Sequence, residues 1–544
     1  MSNSRRSFLA SSGSALFALG AFPRIPVRRA TWDIVIRGGT VYDGLGRAGV
    51  VRDLAIANGR IARIAARIPE RGKEEFAARD LAVAPGFIDI HSHGDGSLEQ
   101  DPRAESLIRQ GITTIVAGQD GDSRAVGIDD RSFTSMFAAL DKGRPSVNVA
   151  AMIGLGSVRG KVIGAGDRPA TSSELAEMTA MVERALVEGA CGASSGLEYT
   201  PGAFASREEL IALCRPLARR RLPYATHMRN EDDRLLEAVD EAIAVAQGAG
   251  CPLQISHLKT QGPANWGKLD AVFAHIDTAR RAGLDVAFDR YPYLAYQTGL
   301  TNLFPVWSRD GGTDAFLGRL ADSTVARRVR QEALAKVASI GGWENVLVTG
   351  VRATQDSVVV GKRLGSVAQE LGVDPFQLAM DLLRRSRGNV GMVGFAMSEA
   401  NLERILAHPL GMVCSDGGAV AIDGPTRRGS PHPRSLGTFP RVLGRYVRER
   451  KVLRLEQAIH KMTAQPAARV HLADRGQLVV GAAADVVLFD PATVNDKATF
   501  EAPFQYPVGI DTVIVNGTVA LHAGDRVGSG RGTSLRPIAV ARRR

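Results

Sequence analysis

The sequence has few cysteines and no long apolar segment in its main body. Its 544 residues include only four cysteines, and no two of them show Cys-x-x-Cys spacing. This argues against both a disulfide framework and a thiolate zinc finger. Beyond the first 30 residues, no run reaches the ~18 uninterrupted apolar residues that a membrane-spanning helix requires. We therefore expect a soluble body without a stable membrane anchor.

The chain also lacks an excess of basic residues in its body. Lys and Arg total 68 and Asp and Glu total 57, which gives a formal net charge of +11. Residues 1–30 contain five arginines and residues 526–544 contain six, and neither segment contains an acid, so the two ends carry the whole excess. A nucleic-acid-binding domain needs basic residues on a folded face. We therefore expect no nucleic-acid partner.

The remaining composition is that of a globular protein, with 44% hydrophobic and 23% charged residues. The length suits one large domain with a smaller one. Ser4-Arg5-Arg6-Ser7-Phe8-Leu9 precedes an uncharged run over residues 10–22. This order resembles a twin-arginine signal peptide. For residues 1–30 we expect recognition by the twin-arginine export machinery, cleavage after Ala21 or Ala30, and a periplasmic or secreted protein. The alternative is an accidental Arg-Arg pair at the terminus.

Alternating apolar and polar residues near both ends predict β-hairpins. Near the N-terminus, this alternation occurs in residues 33–43 and again in residues 54–65, around Asn58-Gly59. Near the C-terminus, it occurs in residues 485–489 and again in residues 510–521, around Asn516-Gly517. Asn-Gly favours the type I′ turn of a two-residue hairpin. We expect the two ends, residues 31–84 and 470–544, to form one small β-sandwich domain.

Between the ends, eight apolar runs alternate with helical patterns. The runs are residues 82–93, 113–118, 147–154, 189–199, 222–229, 251–259, 284–293 and 411–418. Repeated strand-then-helix units predict an α/β fold, here a (β/α)8 TIM barrel over residues 85–469, with a doubly wound open sheet as the alternative. The long gap before the last run predicts an inserted subdomain at about residues 300–375.

Histidines and acids lie at the ends of these runs. His91 and His93 end the first run, His227 lies in the fifth, His257 in the sixth, and Asp416 in the eighth. Barrel enzymes carry their active sites at the C-terminal ends of the strands. Imidazole and carboxylate together are ligands for zinc and similar ions. A single His-x-His pair is more often structural, but the whole set predicts a metal site.

Longer motifs resemble one enzyme family. They are GFIDIHSH at 86–93, SGLEYTPG at 195–202, THMR at 226–229, SHLK at 256–259, YPY at 291–293, HPR at 432–434, GTFP at 437–440 and ADVV at 484–487. The first, with the later His and Asp, resembles the amidohydrolase superfamily. Together they resemble N-acyl-D-amino-acid deacylases (D-aminoacylases) over residues 31–540.

The resemblance implies a metal-dependent hydrolase of linear amides, with one or two Zn²⁺ ions as cofactor. It implies deacylation of N-acyl-D-amino acids, and the alternative is a dipeptidase or a cyclic-amide hydrolase of the same superfamily. A metal-free binding or scaffold protein is the alternative from another class. The expected partner is a small-molecule N-acyl amino acid or dipeptide substrate.

One position departs from the pattern of this family. Many such deacylases have a zinc-binding Cys in an Asn-Cys-Gly turn after the second strand, whereas this sequence has Asp120 between Gln119 and Gly121. Relatives bridge two metals with a carboxylated Lys or a Glu at the fourth strand. Glu198 matches that bridging place and is preferred here, and Asp120 is the alternative.

The resemblance also implies the remaining roles. His91, His93, Glu198, His227, His257 and Asp416 are the expected metal ligands. Asp416 is expected to be the catalytic residue as well, because its carboxylate can take a proton from water and pass it to the leaving nitrogen. Lys259, Tyr291 and Arg434 are the expected ligands of the substrate's carboxylate.

Overall fold

The computed structural model describes residues 30–126, 131–528 and 530–538. The predicted signal peptide lies outside these ranges except for Ala30. Within the described ranges, no helix is long and apolar enough to cross a bilayer. All four cysteines are buried and free.

Both ends of the chain contribute strands to one nine-stranded sheet. From edge to edge the strands are Asp525–Arg526, Thr518–His522, Ile510–Val515, Val486–Phe489, Ala82–Pro85, Trp32–Val41, Val50–Ala57 and Arg60–Ala65, with Gly72–Ala77 paired to Trp32–Val41 as a branch. Both predicted Asn-Gly hairpins form. Asn58 and Asn516 have φ values of 52° and 50°, and the following glycines also have positive φ, as a type I′ turn requires.

The first predicted run, residues 82–93, divides between two sheets. Ala82–Pro85 belongs to the terminal sheet, and Phe87–Asp89 is the first barrel strand. The change occurs at Gly86, whose N–H donates to the Asp485 carbonyl at 2.8 Å. A Cβ at position 86 would lie 2.2 Å from Thr113 Oγ1. Only glycine fits this crossing, which places the barrel directly against the terminal sheet.

The barrel strands are parallel, and all but the second are shorter than the apolar runs that predicted them. In order they are Phe87–Asp89, Ile112–Ala117, Asn148–Ala151 continued by Ile153–Gly154, Ala193–Gly196, Tyr224–His227, Leu253–Ile255, Val286–Arg290 and Gly411–Val413. The ends of the first and eighth strands meet, because the N–H of Asp416 donates to the His91 carbonyl at 2.9 Å. The runs look longer than the strands because the loops that follow them are also buried.

Helices and short helical turns connect the barrel strands or follow the eighth strand. The α-helices are Asp95–Gln100, Glu105–Ile108, Phe133–Gly143, Leu155–Val162, Ser172–Glu188, Arg207–Ala218, Leu235–Ala249, Leu269–Arg281, Glu399–Ala407, Arg434–Arg441, Leu455–Met462 and Ala464–Arg469, with a π-helix at Val442–Glu449. The 3₁₀ turns are Gly202–Phe204, Pro263–Lys268 and Gly424–Thr426.

An inserted subdomain lies between the seventh and eighth barrel strands. Its antiparallel sheet has the order Ala295–Gly299, Val390–Phe395 and Val346–Val351. Its α-helices are Gly312–Arg319, Ser323–Ser339, Leu364–Leu371 and Pro375–Arg385, and its 3₁₀ turns are Leu300–Leu303, Val306–Arg309, Trp343–Asn345 and Thr354–Val359. These elements extend on both sides of residues 300–375, because the strands at 295–299 and 390–395 pair with each other.

Candidate metal centre

The predicted histidines and Asp416 lie at or just after the C-terminal ends of barrel strands. His227 is the last residue of its strand, and the others follow their strands by two to four residues. The ligand atoms of His91, Asp120, His257 and Asp416 all lie within 4.8 Å of one another. The barrel therefore brings residues from four separate loops to one point.

Asp120 lies at the centre of this group. Its carboxylate oxygens are 3.4 Å from His91 Nε2, 3.4 Å from His93 Nε2, 3.4 Å from His257 Nε2 and 3.8 Å from His227 Nδ1. This acid occupies the position at which the sequence pattern led us to expect a cysteine. One carboxylate within reach of four imidazoles can serve as a shared anionic ligand.

The backbone around Asp120 explains how a short turn reaches the centre. Asp120 has a φ of 53°, in the left-handed region that Asp tolerates better than most residues. A Cβ at Gly196, the last residue of the fourth strand, would lie 2.0 Å from the Asp120 carbonyl oxygen. The turn after the second strand is therefore packed directly on the end of the fourth strand, which fixes the Asp120 backbone.

Two more imidazoles complete the cluster. His93 Nε2 lies 3.1 Å from Asp416 Oδ1. His227 Nδ1 lies 3.0 Å from His257 Nε2. All four predicted histidines thus surround the two carboxylates, although His91 and His93 lie just beyond the strand and not within it.

Glu198 lies outside the four-residue group. Its Oε2 is 3.6 Å from His227 Nε2, and it accepts a hydrogen bond of 2.9 Å from Asn302 Nδ2. Lys336 Nζ is 4.0 Å from Oε1. The contacts of this carboxylate thus include one histidine and two residues of the inserted subdomain. Its expected role as a metal ligand stays a prediction.

Three buried acids that sequence reasoning missed hold the cluster in place. Asp89 accepts hydrogen bonds from the Ser415 N–H at 2.8 Å and from the Ser415 hydroxyl, which joins the ends of the first and eighth strands. Asp289 accepts from the His257 N–H at 2.8 Å. Glu231 Oε1 lies 3.2 Å from His257 Nδ1. Asp89 and Asp289 lie within apolar runs and Glu231 follows one, and the sequence gave no other signal of this positioning role.

The charges in the cluster oppose the cost of burial. Burial would raise the pKa of Asp416, but the charges of Arg434 and His257 lower it further than burial raises it. Burial would lower the pKa of His227, yet the charge of Glu231 and the contacts with Asp120 and Glu198 raise it to about 10. Burial alone dominates at Asp89, whose pKa rises to about 7. The two carboxylates of the four-residue group, Asp120 and Asp416, thus both have pKa values held below the ordinary range, which favours the ionised form that binds a metal.

The donor set fits a divalent metal. Among the described residues, both ring nitrogens of His91, Asp120 Oδ1 and His227 Nε2 are buried and have no hydrogen-bond partner. Buried polar atoms without partners are costly and need an explanation. Imidazole nitrogen and carboxylate oxygen are zinc ligands, so a metal in this position would satisfy these atoms.

The three predicted substrate ligands line one cavity with the cluster. This metal-centre cavity has a volume of about 250 Å³. Lys259 Nζ donates to Glu231 Oε1 at 2.6 Å, so its charge is already paired. Arg434 donates to Asp416 Oδ2 at 2.7 Å, while its Nε and the Tyr291 hydroxyl have no partner among the described residues. Arg434 and Tyr291 therefore retain donors for a substrate carboxylate.

Arg434 is held in place by a histidine for which the sequence suggested no role. His432 is fully buried, and its Nδ1 accepts the Arg434 backbone N–H at 3.0 Å. Its Nε2 lies 2.9 Å from the Ala295 carbonyl oxygen, which belongs to the inserted subdomain. His432 thus joins the Arg434 loop to the insert.

Comparison with known proteins gives consistent matches over nearly the whole chain. A family model described as "Amidohydrolase family" matches residues 74–521. N-acyl-D-glutamate deacylase of Alcaligenes xylosoxydans xylosoxydans is 38% identical over 501 residues, which cover 89% of this chain and 93% of that protein. D-aminoacylase of the same organism is 35% identical over 503 residues, which cover 89% and 94%.

A solved structure matches as well. It is N-acyl-D-glutamate deacylase from Bordetella bronchiseptica, complexed with zinc and a phosphonate inhibitor that mimics the tetrahedral intermediate of the reaction. It superposes with a TM-score of 0.79 at 35% identity, over 93% of this chain and 99% of that one. The agreement extends over the barrel, the terminal sheet and the insert together.

Proposed function

Because the chain belongs to the amidohydrolase family, in its group of N-acyl-D-amino-acid deacylases, we propose that it hydrolyses N-acyl-D-amino acids. The products are a D-amino acid and a carboxylate. The observation that carries the proposal is the placement of Asp120 and Asp416 among four imidazoles, beside the free donors of Arg434 and Tyr291. Metal ligands and a carboxylate-binding pair thus share one cavity.

We propose zinc, one or two ions, as the cofactor. His91, His257, Asp120 and Asp416 would hold it, with His93 and His227 beside them. The ion supplies positive charge that polarises the scissile carbonyl and makes a water molecule more acidic. Asp120 replaces the expected cysteine as the shared anionic ligand. This assigns to Asp120 the role that the family pattern suggested for Glu198.

Asp416 performs the proton transfers in this account. Arg434 holds its Oδ2, so that Oδ1 faces His93 and the remaining cluster. The ionised Oδ1 accepts a proton from the attacking water and then delivers it to the leaving nitrogen. Delivery is needed because an unprotonated amide nitrogen is a poor leaving group.

Arg434 and Tyr291 bind the α-carboxylate of the substrate. The guanidinium carbon of Arg434 lies 4.8 Å from the centre of the Tyr291 ring, so both groups face the same part of the cavity. An arginine can bind a carboxylate with two N–H donors. When the α-carboxylate and the amide are both held, two substituents of the α-carbon are fixed. The D and L configurations then differ in where the side chain lies, so the space available for the side chain selects one of them.

Paired substrates test the proposed function. Purified protein is loaded with zinc and assayed against N-acetyl-D- and N-acetyl-L-amino acids and against dipeptides. We expect turnover of the D-series that is lost on chelation and restored by zinc. Equal turnover of the two series, or hydrolysis of dipeptides only, would contradict it.

We further propose export by the twin-arginine pathway to the periplasm or beyond. The support is the Arg5-Arg6 pair before Phe8-Leu9 and an uncharged run. Arg5→Lys with Arg6→Lys should leave folded, active enzyme in the cytoplasm. The matched control is Arg28→Lys with Arg29→Lys, which should be exported normally. Normal export of the Arg5→Lys, Arg6→Lys double variant would contradict the proposed twin-arginine export.

A further inference from the structure

Arg290 is a fully buried arginine without a carboxylate partner. It ends the seventh barrel strand and exposes 1% of its surface. Its Nη2 donates to the Tyr293 carbonyl oxygen at 2.8 Å, but its Nε and Nη1 have no partner among the described residues. The neighbouring acid, Asp289, accepts hydrogen bonds from Gln254 and from the His257 N–H instead. A buried cation without an anion is costly, so its presence calls for an explanation.

The Arg290 guanidinium lies against the ring of Tyr291. The distance from its central carbon to the ring centre is 4.2 Å, compared with 4.8 Å for Arg434 and 5.9 Å for Lys259 Nζ. Arg434, Lys259 and Tyr291 line the metal-centre cavity, whereas Arg290 does not. Arg290 therefore contacts a proposed ligand of the substrate carboxylate without lining the cavity itself.

Arg290 is the one member of these three cations that no acid compensates. Arg434 donates to Asp416 at 2.7 Å, and Lys259 donates to Glu231 at 2.6 Å. Within the described ranges, three positive charges around the tyrosine ring thus have two carboxylate partners. Opposite charges attract more strongly in a protein interior than in water. The excess charge therefore favours an anion at the tyrosine hydroxyl, which has no partner among the described residues.

A second arginine holds the same turn and provides a comparison. The Arg290 side chain bonds the Tyr293 carbonyl, and Arg441 Nε donates to the Pro292 carbonyl oxygen at 2.8 Å. Arg441 also donates to Asp496 at 2.9 Å, so its charge is compensated. Holding the turn by hydrogen bonds therefore does not require an unpaired charge, and the lack of an acid distinguishes Arg290 from Arg441.

We propose that Arg290 is a positioning residue for substrate binding, which holds Tyr291 in place and supplies the positive charge that the α-carboxylate of the substrate compensates. This rests on the proposed deacylase function, in which Arg434 and Tyr291 bind that carboxylate. The cost of an unpaired charge in the free enzyme is then offset when an anionic substrate binds. A neutral compound of the same shape gains nothing from this charge.

A substrate and its neutral analogue test the proposal in the zinc-loaded protein. The substrate is the N-acetyl-D-amino acid that wild type hydrolyses fastest, and the analogue has an α-carboxamide in place of the α-carboxylate. Arg290→Met removes the charge and keeps an unbranched side chain against the ring. We expect kcat/KM for the acid to fall about tenfold, mainly through a higher KM, and kcat/KM for the amide to change less than about threefold. Arg290→Lys, which keeps the charge, should restore part of the loss.

Stability measurements separate this role from a purely structural one. Because Arg290→Met removes a buried unpaired charge, its denaturation midpoint should not fall below that of wild type. Arg441→Gln is the control, since it removes a hydrogen bond to the same turn and leaves Arg290 in place. This control should have a lower midpoint, because Asp496 loses its cation, and should keep the wild-type ratio of kcat/KM between acid and amide.

Calorimetry distinguishes a failure of this proposal from a failure of the deacylase function. Isobutyrate and isobutyramide are titrated into zinc-loaded wild type and Arg290→Met, and isobutyrate, but not isobutyramide, should bind about tenfold tighter to wild type than to the variant. If no N-acyl amino acid is hydrolysed, the deacylase function fails, and this titration still tests Arg290. Equal isobutyrate affinity of the two proteins would overturn the proposal. So would equal losses for acid and amide, or a failure of both Arg290→Met and Arg290→Gln to fold.

Discussion

The barrel side and the insert side of the cavity use carboxylates in different ways. On the barrel side, Asp120 contacts four imidazoles and is held by a turn that packs on the fourth strand. On the insert side, the Glu198 carboxylate contacts one imidazole, that of His227. It also accepts a hydrogen bond from Asn302 and lies 4.0 Å from Lys336 Nζ. The acids that follow the second and fourth barrel strands thus have different partners.

The difference shows that the partners of a strand-end acid, and not its position alone, decide its role. Asp120 has an oxygen with no partner among the described residues, which a metal can bind. Glu198 Oε2 accepts a hydrogen bond from Asn302, and Lys336 Nζ lies 4.0 Å from Oε1. Burial raises the pKa of Glu198, but Lys336 and His227 lower it to about 2. We infer that the barrel side binds the metal and that the insert side shapes the space for the substrate.

Loss of Asp416 gives the largest expected effect on the barrel side. Asp416→Asn removes the proton acceptor while keeping nearly the same size, so kcat should fall about a thousandfold or more. Steady-state assays with N-acetyl-D-amino acids measure this. Asp122→Asn is the control, because Asp122 lines the same cavity but lies outside the four-residue group. Similar turnover of the two variants would contradict the assignment.

Moving the Asp120 backbone tests the barrel side without changing a ligand. In Gly196→Ala the new Cβ would lie 2.0 Å from the Asp120 carbonyl oxygen, so the turn must shift. We expect a loss of about 3 kcal/mol in unfolding free energy and weaker zinc binding. Denaturant titration and metal analysis measure these effects. Gly160→Ala, whose Cβ comes no closer than 3.5 Å to Pro201, should show neither.

Loss of Lys336 should have the smallest effect, because it acts on the insert side. Lys336 Nζ lies 2.5 Å from Asp232 Oδ2, and Lys336→Met leaves that acid unpaired. We expect a decrease of about 1–2 kcal/mol in unfolding free energy, a change in KM, and unchanged zinc content. A loss of zinc comparable to that of an Asp120 variant would contradict the division between the two sides.

The sequence was sufficient to predict the barrel and most residues of the metal-centre cluster. The histidines and Asp416 were predictable because they recur at the ends of apolar runs, and parallel strands in a barrel bring those ends together. The lengths of the strands were not predictable in the same way. Loop residues 256–259 are as fully buried as the strand they follow, so burial does not show where strand pairing stops.

The sequence singled out Asp120 only as the alternative to Glu198, and it gave no indication of the insert residues. Asp120-Gly121 looks like an ordinary turn, and only the three-dimensional structure shows that its carboxylate lies among four imidazoles. Lys336 and Asn302 lie in helical segments of the insert with no motif. Their roles depend on how the insert packs on the barrel, which hydrophobic periodicity does not encode.

The most direct test of the central claim is the zinc content of two matched variants. Asp120→Asn and Glu198→Gln each remove one negative charge at nearly constant size, and inductively coupled plasma mass spectrometry gives the zinc-to-protein ratio after identical loading and dialysis. Asp120→Asn should lose at least one zinc relative to wild type, and Glu198→Gln should retain the wild-type ratio. The reverse ranking would contradict the account and transfer the shared-ligand role to Glu198.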